Sequence, residues 1–363
     1  MNRKMKFLAV LAVLVFGLIL SACGGGQPAT PAQPPAQPAG QQGENQPAEE
    51  APEVPQFEVV NLRVAYMPNM NAASSIATAL KMGFFEEQGL NVEVVEFQSG
   101  PPAIAAMAGG DIDIAQIGHG AHALAIEGQA VIFQLDTLSL SDAVIGNRNR
   151  GIETAEDLRG ATIAATSGTS AEIILDLTLE AAGISRDEIE FIEMDAVGIV
   201  TAMISGSIDA AATWSPGTVT IRTQMGDNAV TLATNEDFLH VATFPSSFVT
   251  TENFVANNRD VLVRFAAAIK KAHDFRNADP EESARLVARM MNVDEAIIVQ
   301  ESRSGIWITS DYVLRGLDDG TIVRHYENQQ RIFIAAGRIE EEVDVNEYIL
   351  FDIMREANAA MVR

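Results

Sequence analysis

Two histidines three positions apart, His119 and His122, stand in the small-residue loop Gly118-His119-Gly120-Ala121-His122. Imidazoles are common zinc ligands, but the chain holds five histidines in all, and its sequence pairs no third ligand with these two. The loop is therefore assigned no metal; His119, beside Gly118, either donates a hydrogen bond to a ligand or is, like His122, a plain loop histidine. Met67-Pro68-Asn69-Met70-Asn71 supplies two amides, Asn69 and Asn71, which either meet a ligand or serve as turn and N-cap residues. Gln98-Ser99-Gly100-Pro101 adds the Ser99 hydroxyl. Ser167-Gly168-Thr169-Ser170 stands between a strand pattern and a helix pattern, where free backbone N–H groups and the hydroxyls of Ser167, Thr169 and Ser170 form a seat for an anion. Thr169-x-x-Glu172 also reads as a capping box that would satisfy the same donors internally. Asp195 follows a further strand pattern, and Trp214 closes another, offering an apolar wall or a core residue. No nucleophile motif or paired catalytic acids are found, so no catalytic residue and no cofactor are assigned.

All of these segments follow short β-branched runs. Strands are predicted over 63–66, 92–97 and 112–117, with helices over 74–82 and 103–108. The same order returns over 162–166, 171–182, 189–194, 199–205 and 208–213. Ala106, Met107, Gly110, Ile112, Asp113 and Ala115 match Ala202, Met203, Gly206, Ile208, Asp209 and Ala211, each pair 96 positions apart. The shared pattern is a helix end, a turning glycine and a strand that opens on an aspartate exposed at the sheet's lower edge. Strand and helix in alternation mean a mostly parallel sheet covered by helices, here twice. Beyond Thr243 the pattern lengthens, with Leu262, Phe265, Ile269 and Ala272 along one helical face, expected to return to the first sheet. The acidic run Glu340 to Glu342 reads as a solvated helix face.

The amino-terminal end has a different character. Arg3, Lys4 and Lys6 precede an apolar run over 7–20 that stops at Leu20-Ser21-Ala22-Cys23. That run is shorter than the roughly 20 residues a membrane-spanning helix needs, and reads as an export signal. It resembles the bacterial lipoprotein signal, which implies lipidation of Cys23, the single cysteine, and a membrane anchor. Intramolecular disulfides are excluded. Residues 24–55 contain eight of the fourteen prolines and almost nothing that can be buried, so they are expected to form a disordered tether. The net charge of -25, from 24 basic and 49 acidic residues, excludes nucleic acid as a partner.

Lys81-Met82-Gly83-Phe84-Phe85-Glu86-Glu87-Gln88-Gly89-Leu90, Gly109-Gly110-Asp111-Ile112-Asp113-Ile114-Ala115, Glu156-Asp157-Leu158-Arg159-Gly160 and Gly206-Ser207-Ile208-Asp209-Ala210-Ala211-Ala212-Thr213-Trp214-Ser215-Pro216 together resemble a known family. It is the family with the type II periplasmic-binding fold that binds aliphatic sulfonates, taurine, nitrate and thiamine-pyrimidine precursors for ABC importers. The resemblance implies an α/β protein of two lobes joined by crossovers near 143–147 and 243–248. Lobe one would comprise 56–147 and 248–363, and lobe two 148–247, after a signal over 1–23 and the tether. It also implies a small-molecule ligand between the lobes, permease and ATPase partner subunits, an extracytoplasmic monomer and no chemistry on the ligand. A small anion, an aliphatic sulfonate or taurine, is the expected ligand. A neutral heterocycle stacked on Tyr66 or Trp214 is the alternative. The pyrimidine-making enzymes of this fold are associated with a cysteine cluster that this chain lacks.

Overall fold

The computed structural model describes residues 57–361; the export signal, Cys23 and the tether lie outside the described residues. The chain opens with β1 (Val60–Tyr66), α1 (Met70–Lys81), α2 (Phe84–Glu87), β2 (Leu90–Glu96), α3 (Gly100–Ala108), β3 (Ile114–Ile117), α4 (His122–Ile126) and β4 (Val131–Ser139). It continues through β5 (Asp142–Asn147), β6 (Thr162–Ala165), α5 (Ser170–Ala181), β7 (Glu190–Glu193), α6 (Ala196–Ser205), β8 (Ala210–Trp214), α7 (Gly217–Met225) and β9 (Ala229–Thr234). The last part is β10 (Pro245–Thr250), α8 (Glu252–Ala278), α9 (Pro280–Met291), α10 (Glu295–Glu301), β11 (Gly305–Ile306), α11 (Ser310–Asp318), α12 (Thr321–Ala335) and α13 (Phe351–Ala360).

These strands form two sheets with one plan. The first runs β11-β4-β10-β3-β1-β2 and the second β7-β6-β8-β5-β9. In each, three strands of successive βαβ units are parallel, and the strand arriving from the other sheet is inserted antiparallel beside the third. Each half is thus a sheet flanked by helices, the two-lobed α/β arrangement the sequence implies. The handovers lie at Leu140 and Ser141 and over 235–244. Strand β5 belongs wholly to the second sheet and β10 to the first, so the lobes change ahead of these strands and not at 147 and 247. Each inserted strand is paired along its whole length with strands of one sheet only, β5 with β8 and β9 and β10 with β3 and β4, which leaves no room for the change of sheet inside it.

The 96-residue repeat has a structural counterpart. Gly110 (φ 80) and Gly206 (φ 72) adopt the left-handed conformation that turns the chain out of α3 and α6. Asp113 accepts from the Arg63 N–H at 2.8 Å and its own N–H donates to the Arg63 carbonyl at 3.0 Å. Asp209 does the same with Thr162, at 2.8 and 2.9 Å. Each aspartate therefore clamps the opening strand of its lobe, and its side chain is only 20% or 16% exposed, in place of the exposed edge expected.

Burial follows the helical and strand periods. On α8, Leu262, Phe265, Ile269 and Ala272 are completely buried in the first lobe's core with Phe85 and Phe248. Helix α12 departs from the expected return to the first lobe. Its Ile322 and Tyr326 join the first lobe's core, whereas Phe333 is buried in the second lobe's. Fifteen residues reach about 22 Å, long enough to touch both. Glu340 to Glu342 are exposed, but in a bend and not on a helix, because α12 has already ended before Gly337 (φ 67).

Candidate functional site

The loops at the carboxyl ends of β1, β2, β3 and β6 meet between the sheets, where ligands of open α/β sheets bind. Asn69, Asn71, Ser99, Gly118, His119, Thr169, Ser170 and Trp214 line one cleft there, with Met67, Gln116, Ser139, Ser141 and Ser246. The cleft holds about 450 Å³ of empty space including its mouth. Two of the expected residues are elsewhere. Ser167 is half-buried outside the lining, and Asp195 is exposed and caps α6, accepting from the Gly198 N–H at 2.7 Å. An aspartate is a preferred residue just ahead of a helix, where its carboxylate satisfies a free N–H group. Tyr66 is buried in the first core, away from the lining.

Three amides of the cleft have orientations fixed by their outer contacts. Asn69 caps α1, its Oδ1 accepting from the Ala72 N–H at 2.9 Å, which leaves its NH2 group as a donor. Asn71 donates through Nδ2 to the Ser304 carbonyl at 3.3 Å and to its hydroxyl at 3.1 Å. Gln116 donates through Nε2 to Asp136 Oδ2 at 3.0 Å. The acceptor Asp136 is fully buried; burial alone would raise its carboxyl, but Arg276 at 3.3 Å and His273 at 3.0 Å hold it below the usual value. An ionised carboxylate cannot donate, so the Gln116 nitrogen must face it. Asn71 Oδ1 and Gln116 Oε1 are left buried without partners.

The expected anion seat is largely spoken for. Glu172 Oε2 takes the Gly168 N–H at 2.9 Å, the Thr169 hydroxyl donates to the Thr166 carbonyl at 2.6 Å, and the Ser170 hydroxyl donates to Asp142 at 2.6 Å. The capping box is therefore not closed at Thr169, because its hydroxyl turns backward and Glu172 reaches one residue further. Glu172 also pairs with Arg186 at 2.9 Å and Arg338 at 3.0 Å. Arg338, Arg186, Glu172 and Asp176 line a wider groove along α5 and α12, where they neutralise one another.

His119 lines the cleft, 2% exposed, and burial, with His122 and Arg338 nearby, pushes it down to about 3, so the ring is neutral. Neither of its nitrogens has a partner, and Nε2 lies 3.8 Å from Asp142 Oδ2. Burial pushes Asp142 up to about 6 against the pull of Ser170 and Asn235. His122 bonds through Nδ1 to Gln329 Oε1 at 2.8 Å, and Gln329 in turn holds the His119 carbonyl at 2.9 Å. Behind α1, Glu301 accepts the Met70 N–H at 3.1 Å, and burial pushes its carboxyl up to about 7. Gly120 brings the lobes into contact: a Cβ there would fall within 3.0 Å of backbone atoms of Thr169 and Ser170.

Gln116, Ser139, Ser141 and Ser246 were not among the sequence candidates. Gln116 alone carries a signal, an amide among the apolar residues of β3; the serines mark the strands that change sheet, which local pattern does not reveal.

Residues 71–283 match the family model described as "NMT1/THI5 like". A Brucella abortus protein named only as a binding protein is 33% identical over 293 residues, 81% of this chain and 91% of that one. The taurine-binding periplasmic protein of Escherichia coli is 25% identical over 263 residues, 70% of this chain and 80% of that one. Among solved structures, the alkanesulfonate-binding protein SsuA from Xanthomonas axonopodis pv. citri, bound to MOPS, superposes with a TM-score of 0.62 at 18% identity, covering 81% of this chain and 99% of that one. The desulfurization enzyme DSZB superposes at 0.58 and 14% identity, over 83% and 99%. At such identities the superpositions establish the fold alone.

Proposed function

Since the chain belongs to the NMT1/THI5-like family, we propose that it is the extracytoplasmic solute-binding subunit of an ABC importer, capturing a small sulfonate such as taurine between its lobes. The observation that carries this reading is the cleft itself. Polar groups from the strand ends of both sheets converge on it, together with Ser141 of the first handover and Ser246, which follows the second at the start of β10, so a ligand there touches groups next to both connections that must move when the lobes close. The Asn69 NH2 group, the Ser99 hydroxyl and the opening N–H groups of α5 are the donors for sulfonate oxygens. Family membership and the two binding-protein relatives support the same role.

Capture without chemistry is part of this reading, and the two binding-protein relatives support it. The reading includes a lipid anchor at Cys23 and permease and ATPase partners. Differential scanning fluorimetry of the full-length chain against sulfonates, nitrate, pyrimidines and metal ions tests it. Sulfonates should raise the melting temperature, because native-state binders stabilise by mass action. A chain unmoved by every class of small solute is not a receptor of this kind.

A further inference from the structure

The cleft is asymmetric in a way the sulfonate reading alone does not use. Asn71 and Gln116 both spend their NH2 groups outward and keep their carbonyl oxygens buried and unpaired. They are 5% and 1% exposed, so water is no ready substitute partner. A buried acceptor without a donor carries its full desolvation penalty. The orientation of Gln116 is not free to reverse, since turning its oxygen toward Asp136 would set two acceptors against each other. Among the described residues lining the cleft there is no lysine or arginine to balance a bare anion, and Asp142 Oδ2 lies 3.8 Å from His119.

We propose that the solute carries an N–H donor group, an ammonium or an amino substituent, which the unpartnered carbonyl oxygens of Asn71 and Gln116 recognise, with Asp136 as the residue that positions Gln116. This rests on the receptor reading above and narrows it to solutes that bring their own donor: a zwitterion such as an aminosulfonate, or an amino-substituted heterocycle against Trp214. A bare alkanesulfonate or nitrate would leave both oxygens unpaired.

Matched pairs test this by calorimetric titration of the full-length chain: taurine against ethanesulfonate, and 4-amino-2-methylpyrimidine against 2-methylpyrimidine. The amine-bearing member of one pair should bind at least about a hundredfold tighter than its partner, because a site built for an N–H rejects the analogue that lacks it; which pair responds identifies the source of the donor. Gln116→Met should reduce that ratio about tenfold, whereas general damage to the fold would weaken both members of a pair alike and leave the ratio as it is. If Gln116→Met fails to fold, the ratios of the wild-type chain still decide. Equal or tighter binding of ethanesulfonate or 2-methylpyrimidine overturns the donor inference and leaves the receptor reading standing. Binding of none of the four, in a chain that melts cooperatively, overturns both.

Discussion

Gly120 is the place where closing the lobes has a steric condition attached. It lies in a short 3-10 turn of the first lobe, directly over the start of α5 in the second, and an alanine Cβ would come within 3.0 Å of three backbone atoms of Thr169 and Ser170, where ordinary contact begins at 3.4 Å. The obstacle is backbone on both sides, so no side chain can turn away. Overpacking costs roughly 1–3 kcal/mol where neighbours can give, and here the upper end applies. In an open form the same methyl group faces the widened cleft and costs nothing. Gly120→Ala should therefore weaken ligand affinity about a hundredfold, which is what about 3 kcal/mol amounts to, while the ligand-free chain melts like wild type. Calorimetric titration gives the affinity and small-angle scattering the compaction on adding ligand. Wild-type affinity together with wild-type compaction in Gly120→Ala would refute the reasoning, since the lobes would then close without this contact.

Other perturbations separate the remaining roles. Glu301 has its carboxyl raised from 4.5 to about 7, so the native state favours the protonated form; the stability this contributes is complete below about pH 4.5 and lost as pH rises through about 7. Thermal melts of Glu301→Gln should match wild type at pH 4.5 and exceed it by about 3 kcal/mol at pH 8, whereas a constant difference would contradict the assigned burial. Asp113→Ala and Asp209→Ala should each cost about 1–3 kcal/mol in denaturant titrations through an unsatisfied strand N–H, with ligand affinity unchanged. Ser167→Asp should bind like wild type because Ser167 does not line the cleft. Ser170→Asp should bind far more weakly, since a second carboxylate would join Asp142. Cys23→Ser should shift the mature chain from the detergent to the aqueous phase in Triton partitioning; aqueous wild-type protein would remove the anchor from the reading.

The alternation of strand and helix was legible because both periods are local, and the repeat because its glycine and aspartate have fixed jobs: Gly110 and Gly206 turn the chain, Asp113 and Asp209 fasten the first strand. Asn69 and Asn71 could be placed in the cleft from their position after a strand, but not the opposite ways in which they present their amides. That difference comes from the Ala72 N–H, three residues past Asn69, and from Ser304, far along the chain. Gln116 shows as an amide in an apolar strand, but the direction of its amide does not, since its partner Asp136 and the cation Arg276 that holds it lie on β4 and α8. Ser167 and Asp195 show the converse limit. A hydroxyl or carboxylate before a helix looks the same in sequence whether it meets a ligand or its own backbone, and Asp195 meets its own.

Helix α12 gives the two lobes a third attachment. Two bodies joined by a pair of strands can swing like a door on the line through them; a third attachment seated in both bodies limits that swing unless something slips. Here the anchor is a rod with Tyr326 seated in one core and Phe333 in the other, and it also touches the second handover, where the Thr243 hydroxyl reaches the His325 carbonyl at 3.4 Å. Opening must then shear an aromatic ring within one of two close-packed interiors. The tempo of capture and release would be set by that repacking, and the solute would meet a gate with friction in its hinge.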